Sequence, residues 1–351
     1  MKNLLSDTAP AFGDARAVPF DPALPGMALL QEPVRLLEVL ARLLTGWLGP
    51  GAHLVDSRVA IRHFFPGKRC SAELALLVGP TRGGPTQWRR LLAKVYSDDQ
   101  GAHVYETLRE LRGRGFGTGR FTVPQPLAYD SGHQLLLVEW AAGEPLRSQL
   151  LASSDAREGV EEAAAWLLRL HRCGLTSGRQ YTLSRHVHTL AGWMPQLIEI
   201  FPEGERLLAD LLIGIRERGG ALAEWIPGPT HRDFSAEHVV MTGDGVMGLD
   251  LDEFCQYDPL FDVAHFTAHL RFLGVTHFGA LNRLDGLVDR FVAAYKAGGA
   301  GDCEERRSLY EAMVYVKLGR LVALVRRPPD WRQVLPALLG EARRLVEGYG
   351  R

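Results

Sequence analysis

The chain has 351 residues, 46% hydrophobic and 23% charged, with a formal net charge of −1 at pH 7. That length holds one large domain or two lobes with separate cores, and the balanced charge lacks the basic excess of a nucleic-acid binder. Apolar runs such as "LLEVLARLLTGWLG" are broken by charges and fall short of the roughly 20 residues a membrane span needs.

The N-terminus "MKNLLSDTAPAFGD" has no sustained apolar core of the secretory kind. Four scattered cysteines (Cys70, Cys173, Cys255, Cys303) without a C-x-x-C pair read as isolated thiols, which points to the cytoplasm. Residues 1 to about 30 are rich in Pro, Ala and Gly and read as an irregular lead-in. Pro33 then opens a leucine-periodic helix that Gly49-Pro50-Gly51 stops. "DSRVAIRHFF", "SAELALLVG" and "QWRRLLAKVYS" are short β-type runs separated by turns at "PGKR" and "GPTRGGP", which predicts a three-strand antiparallel meander.

The amphipathic "GAHVYETLRELRGRG" predicts a helix, followed by two strands, "QPLAYDS" and "HQLLLVEWA", turning at Ser131-Gly132. After "AAGEPL" the patterns are helical: "REGVEEAAAWLLRLHRCG", "LAGWMPQLIEIF" and "GERLLADLLIGIRERGGALAEW". The coarse organisation is a lead-in and helix over 1–54, a β-rich lobe over 55–140 and a mainly helical lobe over 141–351.

The segment "THRDFSAEHVVMTGDGVMGLDLDEFCQYDP" interrupts the helices. Its H-x-D, with a second polar residue five positions on, has the spacing of a phosphotransferase catalytic loop. Such an aspartate sits beside the acceptor hydroxyl, to orient it and take its proton, and the later residue turns back towards a phosphate-bound metal. Asp233 fits the first role. Asp250, seventeen residues on at the end of a strand-like run, offers the carboxylate oxygen that Mg²⁺ prefers. Alone, an H-x-D is common by chance and a strand-end aspartate is usually a turn former; the strand–turn–strand between them lets the two support one another.

The run resembles the signature of the aminoglycoside phosphotransferase and choline kinase-like family, H-G-D-(L/F)-H-x-x-N-(V/I)-L, then (I/L)-D-(F/W) and G-D-P-x-x-D-(L/V)-A. The matches are His231, Asp233, Phe234, Val239 and Val240, then Leu249-Asp250-Leu251, then Asp258-Pro259-Leu260-Phe261-Asp262-Val263-Ala264. Motifs in the family's order cover about 55–270. The resemblance implies an α+β, protein-kinase-like two-lobe fold: a small antiparallel β-sheet N-lobe with one helix, and a large mainly α-helical C-lobe.

It also implies ATP and Mg²⁺ as cofactors and a small-molecule hydroxyl as the acceptor. Lys94 in "LLAKVY" takes the place of the lysine on the phosphates. Glu106 or Glu110 is its helix partner, Glu106 preferred because it begins the E-x-L-x-x-L run. Backbone groups of Glu139 and Ala141 take the place of the adenine-binding hinge beside Trp140. Asp258 is expected to brace the catalytic loop, Asp262 to be a helix N-terminal anion, and His171 to be a packed or capping residue. "RHFFPGKRCSAEL", with Gly67, Lys68 and Arg69, reads as a phosphate cover or as a plain hairpin turn.

Two departures stand out: Arg232 replaces the usual glycine, and His238 replaces the usual asparagine. Imidazole nitrogen suits zinc or manganese better than magnesium. His238 therefore either binds metal with Asp250, favouring Mn²⁺, or leaves it to Asp250, or marks a chain that binds nucleotide without catalysis. Retention of Lys94, Asp233 and Asp250 favours a small-molecule kinase over such a pseudokinase.

Overall fold

The computed structural model describes residues 18–80, 83–152, 156–222, 224–299, 301 and 303–348. The chain divides into two compact units, the first running to Gly143 and including a returning segment, Thr242–Asp252. The second comprises Glu144–Met241 and the chain from Glu253. A single cut near residue 140 therefore does not describe the division, because Asp250 belongs with the first unit.

In the first unit, α1 (Pro25–Gln31), α2 (Pro33–Leu43) and α3 (Thr45–Leu48) precede β1 (Ala52–Phe65), β2 (Arg69–Pro80) and β3 (Gln87–Tyr96). Helix α4 (Gln100–Leu111) follows, then β4 (Phe121–Thr122), β5 (Pro126–Asp130) and β6 (Leu135–Glu139). The strands form an antiparallel sheet of order β1-β2-β3-β6-β5, with β3 in the centre. Side chains alternate across a strand. Leu91, Ala93 and Val95 of β3 are fully buried on one face, while Lys94, opposite Ser71 and Leu136, belongs to the other.

The lead-in is not irregular throughout. Pro25 at the first turn sets φ for a helix, and α1 buries Met27, Leu29 and Leu30. Residues 1–17 of the lead-in lie outside those described. Leu24, Met27, Leu36 and Leu40 share one core with Leu91, Ala93 and Val95, so α1 and α2 cover the sheet face opposite Lys94. Each fully buried leucine of this kind contributes about 1.5–3 kcal/mol.

The second unit begins with β7 (Glu144–Pro145), α5 (Leu146–Ala152), α6 (Arg157–His171), β8 (Arg179–Gln180), α7 (Leu183–Ile200) and α8 (Glu205–Ala221). Next come β9 (Gly228–Thr230) and β10 (Val239–Thr242), which pairs with β7. Strand β11 (Gly245–Gly248) belongs to the first unit, where it runs parallel to β4. Strand β12 (Cys255–Tyr257) lies between β8 and β9.

Helices α9 (Leu260–Phe278), α10 (Asp285–Ala297), α11 (Glu304–Arg320) and α12 (Trp331–Glu347) complete the unit. Helix α9 is buried on every side from Leu260 to Ala268, Asp262, His265 and Thr267 included, so it is the central helix of this unit. Among the described residues no helix is long and apolar enough to cross a membrane.

Candidate active site

Lys94 is where the first unit concentrates its charge. Its Nζ donates to Asp250 Oδ1 and to Asp252 Oδ1, both at 2.6 Å. Asp252 also accepts from Tyr96 Oη at 3.1 Å and from Arg69 Nη1 at 2.9 Å, and its carbonyl accepts from Gln100 Nε2. Burial alone would push the Lys94 ammonium down. The carboxylates of Asp250 and Asp252 outweigh that and hold it well above the ordinary lysine value. Burial raises Asp252, against the pull of Lys94.

The lysine's expected helix partner is a correction. Glu106 is exposed and bonds Arg109 one turn along α4; Glu110 is exposed as well. The carboxylates on Lys94 come instead from the segment after β11, where Asp250 adopts a left-handed backbone, φ 58°.

At the end of β6, Glu139 exchanges two bonds with Gln125. Its N–H donates to the Gln125 carbonyl at 2.8 Å, and its carboxylate accepts from the Gln125 N–H at 2.9 Å. A hinge contact from Glu139 would therefore use its carbonyl. Ala141 is half-buried beyond the strand, and Trp140 lies under Arg90, whose Cζ is 4.0 Å from the ring centroid. The "PGKR" turn is a hairpin whose amides are engaged. Gly67 N–H, at φ 69°, donates to Asp21 Oδ2 at 2.7 Å, and Lys68 N–H to the Phe65 carbonyl.

In the second unit the loop after β9 carries His231, Arg232 and Asp233. Asp262, fully buried in the first turn of α9, accepts from His231 N–H (2.7 Å) and Arg232 N–H (2.6 Å). His171 Nε2 meets the same carboxylate at 3.0 Å, with its Nδ1 2.8 Å from Tyr295 Oη. The brace on the loop is therefore Asp262. Asp258, which the sequence suggested for that task, instead accepts from Leu260 N–H at the start of α9 and from Tyr310 Oη, and faces Arg306.

Asp233 lies among cations and imidazoles. Lys317 Nζ of α11 donates to its Oδ1 at 2.7 Å, with His265 Nε2 3.3 Å from the same oxygen and His238 Nδ1 3.9 Å from Oδ2. Burial favours the neutral acid, but the Lys317 ammonium foremost opposes it, and the carboxyl is held well below its ordinary value. Sequence reasoning missed Lys317, His265 and His269. The signals were present: a lone lysine in the apolar run "AMVYVKLG", and histidines four apart on one helix face.

The model of the family described as APH, phosphotransferase enzyme family, matches residues 82–311. The chain belongs to the phosphotransferase enzyme family. No curated protein matches it. Among solved structures, a thermostable mutant of the aminoglycoside phosphotransferase APH(4)-Ia, in complex with ADP and hygromycin B, aligns with a TM-score of 0.59. That alignment has 14% identity and covers 90% of this chain and 99% of that one. A choline/ethanolamine kinase family protein from Mesorhizobium loti aligns at TM-score 0.52 and 15% identity, covering 83% and 88%. An amicoumacin kinase in complex with AMP-PNP and Ca²⁺ aligns at 0.56 and 11%, covering 82% and 88%. The fold is thus the protein-kinase-like α+β fold of these phosphotransferases.

Against the family pattern, both departures acquire a structural setting. Arg232 stands at φ 68°, a conformation that glycine adopts without steric cost. Here the backbone is held by Asp262, the guanidinium lies 3.6 Å over the Tyr181 ring, and Nη1 bonds Glu253 at 2.8 Å. His238 Nδ1 is 2.7 Å from the Asp233 carbonyl. A carbonyl only accepts, so Nδ1 carries the proton and the ring fastens the loop to itself.

Proposed function

We propose that this phosphotransferase moves the γ-phosphoryl group of ATP to a hydroxyl of a small molecule. The observation that carries the reading is Asp233: an ionised carboxylate, partly open, on a loop fixed by Asp262 and His238. Such a carboxylate orients the acceptor hydroxyl and takes its proton as the new P–O bond forms and ADP departs. Because its pKa is depressed it is a weak base, so orientation is its larger contribution.

Lys94 is assigned to the nucleotide phosphates, with Asp252 rather than Glu106 as the carboxylate that orients it. Glu139, through its carbonyl, and Ala141 are assigned to the adenine. The divalent cation is assigned to Asp250, whose carboxylate oxygens are the hard donors Mg²⁺ takes. Any share of His238 in that cation falls to Nε2, since Nδ1 serves the Asp233 carbonyl; a metal-bound histidine commonly donates its other nitrogen to a carbonyl. A nitrogen donor favours Mn²⁺ over Mg²⁺. When bound, the cation neutralises charge on the phosphates.

Asp233→Asn should abolish ATP-dependent phosphorylation while nucleotide binding survives. Retained turnover in that variant overturns the assignment. The second reading, a nucleotide-binding module without catalysis, is favoured by one feature, the imidazole in place of the amide. Thermal shift with ATP and Mg²⁺ or Mn²⁺, beside an ATP-consumption assay over alcohols, sugars and antibiotics, separates the two. Binding without turnover on every acceptor selects the module.

A further inference from the structure

We infer that Lys317 is a substrate-contacting cation and that the acceptor carries an anionic group, a carboxylate or phosphate, next to its reacting hydroxyl. The inference rests on the reading of Asp233 as the acceptor-side carboxylate. It deepens that reading by naming the charge class of the acceptor.

The ammonium is built in rather than left loose at a rim. Lys317 Nζ lies 2.7 Å from Asp233 Oδ1 and 3.1 Å from His265 Nε2. His265 is completely buried, and its Nδ1 is 2.9 Å from the Phe234 carbonyl. That carbonyl can only accept, so Nδ1 bears the hydrogen and Nε2 is a bare acceptor for the lysine. Two of the three ammonium hydrogens are thereby directed inward, and the side chain is still about one-third exposed (34%). The third donor is left for an incoming group.

Asp233 is the one carboxylate paired with this cation among the described residues of its own unit, and that pair leaves the third ammonium N–H unused. From Ala312 through α11 to Pro329 the chain carries Lys317, Arg320, Arg326 and Arg327 and no acid. Helix α7, which packs against α11, has one acid, Glu199, beside Arg185, His186 and His188. Glu237, on the catalytic loop, lies 3.2 Å from Arg147 and 3.8 Å from Arg326, and Glu253 is held by Arg232. Also near Asp233 are His238 and, stacked on His265 at 4.2 Å between centroids, His269, whose Nε2 is buried without a partner among the described residues. A hydroxyl seated on Asp233 lies beside the third N–H of Lys317, a charged donor that an adjacent carboxylate or phosphate can accept from and an ammonium cannot.

The test is kcat/KM with ATP and Mg²⁺ or Mn²⁺ on five acceptors: a hydroxy acid (glycerate), a sugar phosphate, glycerol, ethanolamine and an aminoglycoside. The expected result is at least a tenfold preference for an anionic acceptor over both amines. Lys317→Met should raise KM for the anionic acceptor at least tenfold more than it raises KM for glycerol. Lys317→Arg should retain the preference. The two anionic arms separate carboxylate from phosphate recognition. Preference for an amine, equal use of all five, or a preference that survives in the folded Lys317→Met variant overturns the inference and leaves the phosphotransferase reading standing. If Lys317→Met does not fold, loss of the preference in Lys317→Arg overturns it. Absence of turnover on every acceptor overturns both.

Discussion

Lys94 and Asp252 form a buried ion pair at 2.6 Å, with Asp252 only 2% exposed and further held by Tyr96 and Arg69. The family motif puts a glutamate of the following helix in that role. Here the buried carboxylate on Lys94 comes from a residue 158 positions away in the chain, two places beyond Asp250. Asp252→Asn should therefore weaken nucleotide binding about tenfold, the loss expected when a charge-assisted hydrogen bond goes. Glu106→Gln should change it less than twofold. Isothermal titration with AMP-PNP checks both; a large loss in Glu106→Gln would restore the helix glutamate.

Asp262 satisfies two backbone N–H groups at once. Asp262→Ala orphans both and strips His171 of its carboxylate, so a destabilisation of about 3–5 kcal/mol is expected. Asp262→Asn keeps one acceptor and should lose less. Urea unfolding of the two variants gives the comparison.

Arg232 combines a left-handed backbone with two side-chain contacts. Arg232→Ala retains the unfavourable φ and loses the contacts with Tyr181 and Glu253. Arg232→Gly loses the same contacts and relieves the backbone, by about 1 kcal/mol. The glycine variant should therefore melt about 1–2 °C above the alanine variant. Equal melting temperatures would mean that the loop relaxes around alanine.

Burial pushes His186, His265 and His269 below the ordinary histidine value, aided in each case by neighbouring positive charge. Groups kept neutral in the folded state bind a proton more readily when unfolded. Their stability contribution is thus present above the ordinary value of 6.5 and lost as pH falls below it. Each can steepen the loss by up to about 1.4 kcal/mol per pH unit. Urea melts at pH 7.5 and 5.5 should show the decline. His186→Phe should flatten it, since His186 sits among Tyr181, Tyr257 and Phe261 and its Nδ1 has no partner.

Much of this was legible in the sequence, for identifiable reasons. Strands β1 to β3 could be read because alternation and turn residues are local signals, and "HRDF" with "LDLD" because the chemistry fixes their spacing. Helix α1 was missed because Pro and Gly near its start suggested a loop, although Pro at the first turn favours a helix. The partner of Lys94 and the surroundings of Asp233 could not be read locally. Asp252, His265 and Lys317 arrive from distant segments, and nothing in the period of a helix says which side chain another helix will meet. The hydrogen bonds to the His238 and His265 ring nitrogens, which set the tautomers, are likewise properties of the folded backbone.

The return of Thr242–Asp252 to the first unit has a consequence for the order in which the chain can fold. Lys94, Tyr96 and Arg69 are translated 156 or more residues before the carboxylates that neutralise them. Until Asp250 and Asp252 leave the ribosome, the emerging sheet holds a lysine facing burial with no counter-ion, and β4 lacks its parallel neighbour β11. Loops this long close slowly. Maturation of the first unit is thereby tied to synthesis of more than two-thirds of the protein, and a fragment ending at Gly143 would carry an unfinished edge and an unpaired charge, both recognised routes to aggregation.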